Sequence, residues 1–356
     1  MTPVQEQSES SLGAFNRASK GFGDWLYQKR HGKHDVRRAE MLTRIATFPG
    51  GTGLLNKAGE MGCDILVKPE KEVGAQGAFD DAGDQPVITI ANTGNPAGMA
   101  IALWHELRHM AQYAANPGKG VAGPGQLKDA RTAHMMGVMI EADAFTAETL
   151  MALQQKKAGN SEYYDAMFAG TREPGAHRDI LRFLRAQPYE SFNDDAKFAR
   201  ALFTHLMMDG LLSYRTRYFS YLGAQFAAAD NVDSFRARVA ASKRGGMKAG
   251  PELGAFYGPG YTAVSPRALA TAFLPVQPVD EQQMLALVER TVKRAPHLTE
   301  NEFQQAKKEI FARKQDIWQK DPDDYDFPTP AQEKMRRVLQ DMAKKDKPQP
   351  FPVIWD

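Results

Sequence analysis

The sequence predicts an α+β protein that is predominantly helical, with one small sheet packed on one long apolar helix and a large helical C-terminal part. Strand patterning is concentrated before residue 92, in Asp64–Lys68 (DILVK), Gly77–Asp80 and Pro86–Ala91 (PVITIA). Helical patterning fills almost everything else. The apolar segment Ala97–Ala115 (AGMAIALWHELRHMAQYAA) follows the last strand directly, so sheet and helix are expected to pack together.

Taken in order, residues 1–11 are polar and read as disordered. Residues 12–30 and 35–47 read as two helices split by His31-Gly32-Lys33-His34, whose histidines sit beside basic residues and read as a solvated pair. Pro49-Gly50-Gly51-Thr52-Gly53 breaks the pattern, and a short helix is expected at 54–61. After the strands, whose last two are separated by the turn residues Asp81-Ala82-Gly83-Asp84, comes Ala97–Ala115. Asn95 suits its N-cap, Pro96 its first position, and Asn116-Pro117-Gly118 its end. A long helix is expected over 126–157. Further helices are expected at 160–168, 175–186, 195–209, 211–228, 231–242, 266–273, 280–293, 299–319 and 330–344. Residues 249–265 are too rich in glycine, proline and aromatics for a helix or a plain linker and read as a structured loop. The apolar tail residues Phe351, Val353, Ile354 and Trp355 are expected to dock on the body.

With 356 residues the chain has room for one large domain or two small ones. The expected division is an N-terminal helical segment at 1–50, a core at 51–160 and a helical part at 161–356. A net charge of +2 argues against nucleic acid as a partner. The single cysteine, Cys63, heads an apolar run and reads as a buried packing residue. The polar N-terminus lacks a Sec-type signal, and no apolar run reaches transmembrane length. The expectation is a cytoplasmic protein without a membrane partner, with signal-less export left open. The oligomeric state is not legible.

The chemistry centres on His105-Glu106-Leu107-Arg108-His109. Two histidines four apart on a helix share a face, so their imidazoles can hold one Zn²⁺ from one side. Glu106 lies about 100° round the helix, the place of a general base acting on water at the ion. The flanking Leu103, Trp104 and Met110 make this a largely buried helix, in which two histidines need partners.

A third ligand is expected from Glu141, which interrupts an apolar run from Ala133 to Phe145. His109 lies ~10 Å before its helix ends and Glu141 ~22 Å into the next, so a tight hairpin overshoots. The loop 117–125 or a kink at Gly137 can absorb the mismatch. Asp143 points ~200° from Glu141 and is the alternative ligand or a partner for a histidine. His134 shares Glu141's face ~10 Å away and can line a cleft. Arg108 is expected to pair with an acid near the site. Candidate donors to a reaction oxyanion are Tyr257, Tyr261, Tyr214 and Tyr218, with Tyr261 and Tyr218 preferred. His205 and Asp209 also stand four apart but have no glutamate at the base position.

His105-Glu106-Leu107-Arg108-His109 followed by Glu141-Ala142-Asp143-Ala144 resembles the HExxH zinc peptidases of the gluzincin kind. The likeness is closest to an uncharacterised bacterial group of metallopeptidase-like domains and covers roughly residues 60–155. It implies a zincin-like core in which an edge strand, Val87–Ala91 or Gly77–Asp80, pairs with an extended peptide substrate. The chain departs from that pattern in two places. Phe145 stands where many gluzincins carry an acid four residues after the ligand glutamate. Gln112 and Ala115 stand where the longer HExxHxxGxxH form has Gly and His. The leading reading is zinc-dependent peptide-bond hydrolysis, with His105, His109 and Glu141 on Zn²⁺, Glu106 as base and a peptide or protein as substrate. The alternative is a metal-stabilised, non-catalytic helical binding protein; an all-helical interaction module without metal is a third reading.

Overall fold

The computed structural model describes residues 36–80, 85–115, 127–128, 130–169, 175–192, 194–208, 223–242 and 279–319. Of these, 36–115 and 147–169 fall in one compact unit and 127–146 and 175–319 in a second. Among the described residues no helix is long and apolar enough to cross a membrane.

In the first unit, helix α1 (Val36–Ala46) leads to α2 (Gly51–Glu60). Helix α2 begins three residues before the expected start at 54, inside the glycine run. Gly50 adopts φ 75°, which reverses the chain at little cost for a residue without Cβ. Gly51 packs so tightly that a Cβ would lie 1.8 Å from the carbonyl oxygen of Ile45. These glycines make a close corner between two helices, where composition alone reads as a break.

Strands β1 (Asp64–Pro69), β2 (Gly77–Asp80) and β3 (Val87–Asn92) form a sheet in the order β1-β3-β2. A one-turn helix, α3 (Glu70–Val73), follows β1. Strand β1 runs parallel to β3 with Ile65 opposite Ile88, and β2 runs antiparallel to it with Gly77 opposite Ile90. Ile65, Ile88 and Ile90 are buried, so alternation places one apolar row in the core. Because β3 is flanked on both sides, Val87–Ala91 offers no edge; β2 is an outer strand.

Helix α4 (Pro96–Ala115) is the hub of this unit and packs against β2, β3, α1, α2 and α6 (Glu162–Phe168). Its start follows from the sequence. Asn95 Oδ1 accepts from the Ala97 and Gly98 amides at 3.1 and 3.2 Å, and Pro96 needs no acceptor. Leu103, Leu107 and Met110 have no exposed surface, and burial of each contributes about 1.5–3 kcal/mol. Trp104 meets Phe48 edge-on at 5.6 Å, and Phe48 meets Tyr163 at 4.8 Å. A helix so largely covered buries most of its polar residues, His105, Glu106, Arg108 and Gln112 among them.

Helix α5 (Ala130–Lys157) is continuous through the boundary between the units. In the second unit, α7 (Ala176–Ala186) and α8 (Asp195–Met208) enclose Phe183 and Phe198 with Tyr189 and Phe192. A further cluster gathers Phe235 of α9 (Val232–Ala241), Met284 and Val288 of α10 (Val279–Arg294), and Phe303 and Ile310 of α11 (Glu300–Gln319). Helix α9 is entered through a reciprocal cap, Asn231 Oδ1 accepting from Ser234 N at 2.9 Å and Ser234 Oγ from Asn231 N at 3.2 Å. The helices expected at 12–30, 266–273 and 330–344, the loop 249–265, the tail and most of 211–228 lie outside the described residues.

Cys63 is fully buried, and burial pushes its thiol up to about 12 against a smaller opposing effect of a backbone hydrogen bond at Ile88. At pH 8 only about one thiol in ten thousand is then ionised. Iodoacetamide is expected to leave Cys63 intact in the folded protein and to alkylate it quickly in urea; equal rates by mass spectrometry would contradict the packing described.

Candidate functional site

The site draws its residues from α4 and α5. His105 is buried, and its Nδ1 donates to Glu148 Oε2 at 2.8 Å, inside the first unit. A carboxylate accepts only, so the His105 ring carries a proton on Nδ1, and the neutral ring then presents a lone pair at Nε2. His109 is half-buried, and its Nδ1 donates to Gln112 Oε1 at 2.9 Å, one turn along the same helix. That bond fixes the same tautomer. The two Nε2 atoms lie 3.0 Å apart, with the rings inclined at 77°.

With both rings neutral, two lone pairs face each other at this distance, an arrangement that a cation lying against both would relieve. A tetrahedral ion with metal–nitrogen bonds of about 2.0–2.1 Å holds its donors about 3.3 Å apart, close to the spacing here. Glu141 lies two turns before Glu148 on the same helix. One donor atom each from His105, His109 and Glu141 lies within 4.8 Å of the others, so this trio can hold a metal ion. The donor set of two imidazoles and a carboxylate suits a divalent ion of borderline softness, and three protein ligands are the number found in catalytic zinc sites.

Glu106 is buried beside this trio, on the face of α4 turned to β2. Gly77 of β2 lies against its side chain so closely that a Cβ would meet Glu106 Cγ at 2.9 Å and Oε1 at 3.0 Å. Arg108 and Asp143 are both buried, and Asp143 is not part of the trio. His134 is fully buried, with Nε2 3.9 Å from Glu281 Oε2 on α10. His205 Nε2 donates to the Asp179 carbonyl at 3.3 Å and its ring lies on Phe183, while Asp209 lies outside the described residues. Tyr218 and Tyr261, with Tyr214 and Tyr257, also lie outside them.

Sequence reasoning missed Glu148 and Gln112 as partners of the two histidines. Glu148 had a signal, since seven residues after Glu141 returns to the same face of a helix. Phe145, where a supporting acid was sought, instead packs edge-on against His177 at 5.6 Å.

The Glu148→Leu variant leaves the buried His105 Nδ1–H without this acceptor, which costs about 1–3 kcal/mol. Urea unfolding of chelator-treated protein is expected to show that loss; an unchanged midpoint would remove Glu148 from its supporting role.

No curated protein and no solved structure matches the chain. A family model described as "Putative metallopeptidase family (DUF6782)" matches residues 16–205, more than half of the chain and including α4, α5 and all three strands. The chain belongs to this metallopeptidase-like family.

Proposed function

We propose that this protein is a zinc-dependent peptidase of the HExxH, gluzincin type with a zincin-like core. The observation that carries the reading is the pair of imidazoles whose Nδ1 atoms are both engaged, so that their Nε2 atoms converge at 3.0 Å beside a buried glutamate. A purely structural metal site has no use for Glu106 at the base position; hydrolysis does.

In this reading His105, His109 and Glu141 hold Zn²⁺, which supplies Lewis-acid polarisation of the scissile carbonyl and of water when bound. Glu148 and Gln112 orient the two imidazoles through Nδ1 and raise their basicity. The Glu106 carboxylate takes a proton from the attacking water and delivers it to the nitrogen of the leaving amine. Its burial keeps bulk water from competing for that carboxylate. The outer edge of β2 supports an extended peptide as substrate, through main-chain hydrogen bonds of the kind strands make. Tyr218 and Tyr261 are the proposed donors to the oxyanion.

Glu106→Gln is expected to retain stoichiometric zinc and to lose hydrolysis of an unfolded protein by about 10²–10⁴-fold. His105→Ala is expected to lose the metal. Elemental analysis paired with a cleavage assay reads both, and a Glu106→Gln variant that cleaves like the parent sinks the mechanism.

A further inference from the structure

Three described glycines near the sheet, Gly62, Gly74 and Gly94, have φ between 66° and 76°, where the backbone itself favours glycine. Gly77 is different. It lies within β2 and its φ is not in the left-handed region, so its backbone would accept any residue. A glycine inside a strand weakens it and marks a close approach by something else.

That approach is by the base. A Cβ at Gly77 would lie 2.9 Å from Glu106 Cγ, 3.0 Å from Glu106 Oε1 and 3.1 Å from Ile90 Cδ1. The Ile90 atom is the tip of a flexible side chain and can turn aside. Glu106 Cγ is held one bond from Cβ on a largely buried helix, with the fully buried Leu103 and Leu107 beside it. Only the carboxylate end or the strand can move.

We infer that Gly77 is a positioning residue for Glu106: the bare backbone of the outer strand forms the wall against which the carboxylate rests, and this sets its distance from the metal trio. The inference rests on the peptidase reading for its consequence, though not for the contact itself. A methyl group at position 77 displaces the base or lifts the strand. Misplacement of a reacting group by about 1 Å costs on the order of 100-fold in rate. The two outcomes differ, because a displaced base lowers kcat while a lifted strand weakens pairing with the peptide and raises KM.

The test is Gly77→Ala in two backgrounds, read three ways. In the parent, zinc stoichiometry is expected to stay at the parental value, kcat to fall at least tenfold and KM to change less than twofold. Thermal unfolding closes the cycle without any substrate. Gly77→Ala is expected to lower the midpoint of the parent and to leave that of Glu106→Ala unchanged, because the Glu106 atoms in the way are then gone and the tip of Ile90 can turn aside. Loss of zinc, a rise in KM with kcat intact, or equal midpoint shifts in both backgrounds would each overturn the inference. If the parent itself cleaves nothing, the peptidase reading fails. The midpoint cycle still decides whether Gly77 sets the place of Glu106.

Discussion

The 2.8 Å bond between His105 Nδ1 and Glu148 is the constraint on which the rest of the site depends. It joins α4 to α5, and both of its groups are buried. Leaving either group unmatched there would cost several times what the bond contributes, so the register of the two helices is held by avoidance of that penalty as much as by attraction. Glu141 lies two turns earlier on the same helix as Glu148, and one of its oxygens lies within 4.8 Å of a nitrogen of each histidine. The same bond selects the tautomer that leaves Nε2 basic. One interaction therefore orients an imidazole and sets its proton.

The covering of α4 explains why such polar pairings are needed. Its alanines and Leu103, Leu107 and Met110 draw the helix into the centre of the first unit, under the sheet and against α1, α2 and α6. His105, Glu106, Arg108 and Gln112 go in with it. Each needs a hydrogen-bonding or charged partner within the protein. Burial driven by apolar residues thus concentrates ionisable groups at low dielectric, the setting in which charge chemistry gains most.

Much of this was legible in the sequence, for local reasons. Asn95 and Pro96 mark the start of α4 through hydrogen bonds made within one turn. The alternation in Val87–Ala91 marks β3 through a periodicity of two. The predominance of helix and the single three-stranded sheet follow from the same patterns. What was missed depends on partners far away along the chain. The glycines at 50 and 51 read as a break because the Ile45 carbonyl that demands them is visible only once α1 and α2 meet. Helix α3 is too short to show a period. Gln112 was weighed only for the residue it replaced, while its position one turn after His109 already placed it within reach of that ring. Glu148 was overlooked because an acid was sought one turn after Glu141, although a helix returns to the same face after two.

Strand order adds a constraint that residue types alone could not supply. The resemblance left either Val87–Ala91 or Gly77–Asp80 as a candidate for the edge. Pairing on both sides removes the first. The shorter strand is left outermost, antiparallel to its neighbour, and its glycine touches the one acid in the HExxH sequence. A short outer strand is ordinarily a guard against unwanted pairing. Here one side is paired with β3 and a face lies on Glu106, while among the described residues no strand pairs with the other side. In the proposed reading, a peptide bound along that side would run past the base at a distance set by the strand itself, so a feature that limits aggregation would also serve as a ruler for substrate.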